Sequence, residues 1–213
     1  MADRPIIFSA PMVRALLDGR KTQTRRVLKP HPRRTIFFDP RTADLEQFKD
    51  PAYAPGDRLY VREGFMPAPM EAAPETPKPT RWNIAYAAGG QAEFDAPADY
   101  NPMLYNYERW SPSIHMPRWA SRLTLTVTDV RVQRLQEISG EDCIAEGVKC
   151  ETCAASWSVG RSACNERGCF EVRQNFRNLW NSLHGPNAWD ANPWVCALTF
   201  AVHRGNIDQM GPP

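Results

Sequence analysis

No stretch of these 213 residues is apolar over anything near the roughly 18 residues that a membrane-crossing helix needs. The opening, Met1-Ala-Asp-Arg-Pro-Ile-Ile-Phe, lacks the apolar core of a secretory signal. A cytoplasmic protein with no membrane partner is therefore expected. In that setting cysteines read as thiols or metal ligands before they read as disulfides. No internal repeat and no coiled-coil pattern is visible, which argues against solenoids and long helical rods. Proline is missing between Arg118 and Gly185, although the chain has 20 prolines and sixteen of them fall from Pro5 to Pro117. Acid is missing from Arg20 to Arg34. What is present is ordinary globular composition, 42% hydrophobic and 23% charged, in a chain long enough for a sizeable core.

The formal net charge of +2 conceals an uneven distribution. Residues 1–34 carry nine Lys or Arg against two Asp, a local charge of +7, which leaves −5 on the other 179 residues. Arg20, Lys21, Arg25, Arg26, Lys29, Arg33 and Arg34 form the acid-free cluster. Such a cluster is an electrostatic footprint for phosphate, or else a solvated basic face.

Periodicity places the elements. Ile6, Ile7 and Phe8 form a short strand, and Ser9 then caps a helix with Val13, Leu16 and Leu17 on one face. Gly19 ends that helix, and Arg20 to Leu28 suits an extended segment in which Lys21 and Thr24 flank a tight corner. Leu59 to Glu63 alternates as a strand after the Pro55-Gly-Asp turn, and a short strand starts at Trp82. Phe65 to Pro79 reads as an exposed proline-rich linker or extended loop. Residues 99–119 interleave Tyr100, Tyr105, Tyr107, Trp110 and Trp119 with Arg109 and Arg118. That mixture stacks bases and holds phosphates, or packs a loop on a core. His115 is the histidine of this segment.

After Arg118 the texture becomes regular. Leu123, Leu125 and Val127 alternate with threonines as a central strand. Ser139-Gly-Glu-Asp opens a short helix through a capping box, and Gly147 closes it. Phe176, Leu179, Trp180 and Leu183 mark an amphipathic helix, and Trp194 to Val202 a buried final strand. Separated strands with few helices give an α+β class, a small mixed β-barrel with flanking helices. The organisation expected is one domain over 1–213, with insertions at about 30–55, 65–118 and 148–170.

Between the last two helices, Cys150, Cys153, Cys164 and Cys169 read C-x2-C-x10-C-x4-C. Four thiolates so spaced match a structural, tetrahedral zinc site with no open position for a substrate. The small and polar residues between them cannot build a core, so metal would explain why the excursion folds. The alternatives are free thiols or disulfides formed on oxidation. Cys143 and Cys196 sit in apolar contexts and read as core residues.

Gly19-Arg-Lys-Thr-Gln-Thr-Arg-Arg resembles the G-x-K-x-x-x-x-R signature of ASCH domains, members of the PUA-like superfamily. Pro55-Gly-Asp-Arg-Leu-Tyr-Val-Arg-Glu resembles the turn and strand that follow it. Ser113-Ile-His-Met-Pro-Arg-Trp-Ala-Ser-Arg and Trp189-Asp-Ala-Asn-Pro-Trp-Val look like blocks of phage and prophage ASCH-like proteins. The resemblance implies a PUA-like β-barrel and a cleft for RNA, single-stranded DNA or a modified nucleoside. Some bacterial members are N(4)-acetylcytidine amidohydrolases that use a lysine, a threonine three residues later and a downstream glutamate. Lys21, Thr24 and Glu146 fall on those three positions, and Arg26 on the signature arginine.

The chemistry stands on its own terms. A threonine hydroxyl needs a base within about 3 Å, and lysine serves only when burial or neighbouring cations lower its pKa. A glutamate could then protonate the leaving amine. A charged Lys21 would instead hold phosphate together with Arg20, Arg25 and Arg26, and Thr24 would hydrogen-bond the backbone or a ligand. Glu63 is a second candidate for the cleft acid, or an ion partner of Arg26. The ligand-binding set is completed by Trp110, Arg118 and Trp119. Three functions remain open: a nucleic-acid or nucleoside-binding module, an amidohydrolase acting on an acylated nucleoside, and a phage assembly protein. No organic cofactor is called for, and the oligomeric state is not set by the sequence.

Overall fold

The computed structural model describes residues 2–31, 45, 48, 50–70, 81–97, 100, 109–149 and 170–211. Its strands are β1 (Asp3–Ile7), β2 (Gln23–Val27), β3 (Arg58–Arg62), β4 (Phe65–Pro69), β5 (Arg81–Tyr86), β6 (Gln91–Asp95), β7 (Leu123–Arg134) and β8 (Trp194–Arg204). The helices are α1 (Ala10–Leu17), α2 (Gly140–Ala145) and α3 (Phe170–His184). The strands make two open sheets, ordered β1-β3-β7-β8-β2 and β4-β5-β6. The fold is thus mixed α+β, and among the described residues neither sheet closes into the expected barrel. β1 runs parallel to β3, and the β3–β7 and β2–β8 pairs are antiparallel. No helix among the described residues is long and apolar enough to cross a membrane.

The chain divides into two compact units, each built from separated segments. The first comprises Met1–Gly19, Pro55–Val127 and Ala201–Pro213. Its strands of the five-stranded sheet bury Ile6, Leu59, Val61 and Leu125, and burying side chains of this size is worth about 1.5–3 kcal/mol each. Under the three-stranded sheet, Phe65, Trp82, Ile84, Tyr86, Met116 and Ala120 form a separate core. Phe65 to Pro69 is therefore not part of a linker. Its two prolines are tolerated because β4 is an edge strand, where one side of the backbone needs no N–H donor.

The second unit comprises Arg20–Ala54 and Thr128–Phe200. Val172, Phe176 and Trp180 recur at helical spacing along α3 and pack with Leu135, Ile138, Cys143, Trp189 and Val195. α3 begins at Phe170, six residues before the first of its apolar positions singled out in the sequence. Gly147, with φ +90°, turns the chain out of α2 in a conformation that glycine adopts without a Cβ clash.

Candidate functional site

The second unit brings the two ends of the predicted constellation together through its backbone. Lys21 and Glu146 form an isolated antiparallel bridge, and the Thr22 amide donates to the Ala145 carbonyl at 2.8 Å. The C-terminal end of α2 is thereby stitched to the start of β2. Ser139 accepts a hydrogen bond from the Asp142 amide at 3.0 Å, which fixes the start of that helix. Asp142 and Glu146, four residues apart, then project from neighbouring positions of one helical face.

Side chains complete the junction. Lys21 Nζ donates to Glu146 Oε2 at 2.6 Å and to the Glu146 carbonyl at 2.9 Å. Arg25 Nη1 donates to Glu146 Oε1 at 3.1 Å, and Nη2 to Asp142 Oδ2 at 2.6 Å. Arg131 approaches the same Asp142 carboxylate at 3.2 Å. Lys21 and Arg25 have no side-chain exposure at all, and Glu146 has 5%. Burial pulls the Lys21 pKa below the ordinary lysine value; Glu146 opposes this, while Arg26 and Arg25 add to it. The Arg26 pKa is lowered as well, again chiefly by burial.

Thr24 lies elsewhere. Along β2, Gln23 and Arg25 share one face while Thr24 and Arg26 take the other. Lys21 meets the carboxylate that Arg25 meets, so it belongs to the Gln23 and Arg25 side. The segment is extended rather than cornered, and its alternation turns Thr24, paired with Leu198 and 3% exposed, away from Lys21 and Glu146. Arg25 is not a surface cation available to phosphate but half of a buried ion pair. Arg20 donates to the Gly147 carbonyl at 3.1 Å, and Lys29 is exposed.

The remaining candidates belong to the first unit. Glu63 is held by Arg122, Nε to Oε1 at 2.9 Å and Nη2 to Oε2 at 3.0 Å. Burial nevertheless raises its pKa above the usual carboxylate value. Arg122 also lies 3.9 Å above the centre of the Tyr86 ring. Sequence reasoning missed Arg122; its one signal is a cation immediately before the most regular strand. Arg118 donates to Asp208 Oδ1 at 2.8 Å and Asp3 Oδ2 at 2.7 Å. Trp119 packs edge-on against Tyr100 with centroids 5.0 Å apart, as a core residue does. Trp110 is 56% exposed.

Cys150, Cys153, Cys164 and Cys169 lie outside the described residues, as do Tyr105, Tyr107, Arg33 and Arg34. Among the described residues no cluster of three or more His, Cys, Asp or Glu side chains could hold a metal. Cys143 and Cys196 are buried free thiols whose pKa values burial pushes up to about 12 and about 11, so neither is a thiolate near neutral pH. No protein-family model, curated protein or solved structure matches this chain.

Proposed function

We propose that this chain is an ASCH-type, PUA-like protein that binds nucleic acid or a modified nucleoside through the basic segment from Arg20 to Lys29. The observation that supports it is the meeting of Lys21 with Glu146, 125 residues away, in a buried pair that Arg25 shares. In this reading the pair is the rigid floor that holds β2. The binding cations are Arg20 and Arg26, both half-buried, and exposed Lys29. Fluorescence anisotropy with labelled RNA and single-stranded DNA tests it. Affinity should fall steeply with salt, and Arg20→Ala, Arg26→Ala and Lys29→Ala combined should flatten the slope by about 0.7 for each phosphate no longer neutralised. Absence of binding at low salt overturns the reading.

One observation favours a second reading. A buried lysine with a lowered pKa, 2.6 Å from a carboxylate, is suited to moving a proton. An amidohydrolase would add water across an acyl amide of an N(4)-acetylcytidine-like nucleoside, releasing the carboxylic acid and the exocyclic amine. It predicts turnover that is lost in a Lys21→Ala protein that remains folded, and it must find its nucleophile elsewhere than Thr24, which lies on the other face of β2. No release of free acid from a panel of acylated nucleosides removes it.

Cys150, Cys153, Cys164 and Cys169 are proposed to hold one structural zinc. Their spacing supports this, and so does the anchoring of the excursion. Asn175, in the second turn of α3, donates to the Lys149 carbonyl at 3.0 Å. Lys149, the last described residue before the cysteines, is thereby tied to α3. Metal analysis should find one zinc per chain, lost in Cys153→Ser with Cys164→Ser.

A further inference from the structure

Among the described aromatic and basic residues between positions 99 and 119, the fold uses Tyr100, Arg118 and Trp119 for its own packing. Tyr100 and Trp119 lie edge-on to each other, Tyr100 also meets Trp82, and Arg118 is bound by Asp3 and Asp208. Trp110 and Ile114 are treated differently. They are 56% and 57% exposed, although each belongs to a segment held firmly by the first unit. Phe65 and Ser111 exchange two backbone hydrogen bonds, at 3.1 and 2.7 Å, directly beside Trp110. Arg62 donates to the Ile114 carbonyl, and the Glu63 amide donates to the Met116 sulfur at 3.2 Å. The backbone next to the indole is thus held in place by the fold.

Two polar side chains of the same segment are left over as well. Arg109 and His115 are both exposed and make no side-chain hydrogen bond or ion pair among the described residues. From Arg109 to Thr128 the sequence has no acid, although Glu108 directly precedes it and the fold brings Asp3 and Asp208 to Arg118. An apolar protein partner would use Trp110 and Ile114 and would leave the Arg109 guanidinium and the His115 imidazole unanswered. A polyanion with planar bases accounts for both features.

We propose that Trp110 is a stacking platform for one base of a single-stranded nucleic acid, with Ile114 extending the apolar surface and Arg109 and His115 meeting the adjoining phosphates. This rests on the nucleic-acid-binding reading above and names a second point of attachment. Stacking is tolerant of base identity, so the platform adds affinity without sequence preference.

The test uses the full chain and fluorescein-labelled oligo-dT and oligo-rU of about twelve nucleotides. Trp110→Ala should weaken binding about tenfold with the salt slope unchanged, and Trp110→Phe should restore most of the loss. The urea midpoint of Trp110→Ala should match the parent protein, because the side chain is exposed. If the parent binds and Trp110→Ala binds equally well, the platform is overturned while the binding reading stands. If the parent does not bind, both fall. Self-association that Trp110→Ala abolishes would assign this face to protein and also overturn the platform.

Discussion

A lysine with no solvent exposure is stable in the fold only because its ammonium has an acceptor at every turn, here both the carboxylate and the carbonyl of Glu146. Arg25 is bound more tightly into the same network, since it spans Glu146 and Asp142. Arg25→Met removes both ion pairs and leaves two largely buried carboxylates short of a partner. It should cost about 3–5 kcal/mol, read as a lower urea midpoint. Lys21→Met leaves Glu146 with Arg25 and should cost less. Its signature is in pH. The folded chain holds the Lys21 proton less tightly than the unfolded chain does, so the penalty is complete below the folded pKa and is relieved as pH rises toward 10.5. Stability of the parent should therefore gain from this group with rising pH, and Lys21→Met should show a flatter profile as pH rises toward 10.5. An identical slope in both proteins would mean that Lys21 titrates as it does in water. The charges of this network were visible in the sequence, but their partners were not. Asp142 reads locally as a capping acid, and only the tertiary fold brings it to Arg25, 117 residues away.

Serines at helix starts show how far local sequence carries at the scale of one element. Ser9 and Ser139 both read as N-caps, and both occupy that position. Only Ser139 makes the side-chain bond. At α1 the helix opens with Ala10 and Pro11, and a proline at this position already removes one of the amides that a cap would serve. Ser139→Ala should lower stability by about 1 kcal/mol, and Ser9→Ala should change it by a few tenths at most. Equal losses in the two denaturation curves would contradict the assignment. Alternation likewise revealed β7, helical spacing α3 and an almost unbroken apolar run β8, because those elements are long. β4 escaped notice because its prolines read as a linker, and an edge position is a property of the sheet that no five-residue window contains.

For the molecule as a whole, the proline-rich stretches at 30–55 and 67–117 fall into different units, so the prolines do not separate a loose half from a compact one. Charge divides more clearly. The second unit has sixteen Lys or Arg against thirteen Asp or Glu, the first ten against eleven. The second unit also contains all six cysteines, and its core is made by α2, α3 and the segments on either side of the cysteine excursion. Val148 packs against that core just before the excursion begins, and Val172 lies within it just after. If zinc closes the excursion, removing it should free both ends and loosen α3 from its first turn onward. The three-stranded sheet of the first unit has its own buried core of Phe65, Trp82 and Ile84, which contains no cysteine. Hydrogen exchange after treatment with a strong chelator should therefore show lost protection in peptides covering 143–149 and 170–180, with β5 much less affected. Loss spread evenly over both units, or no loss from a protein shown to contain zinc, would count against a structural metal that acts on α3.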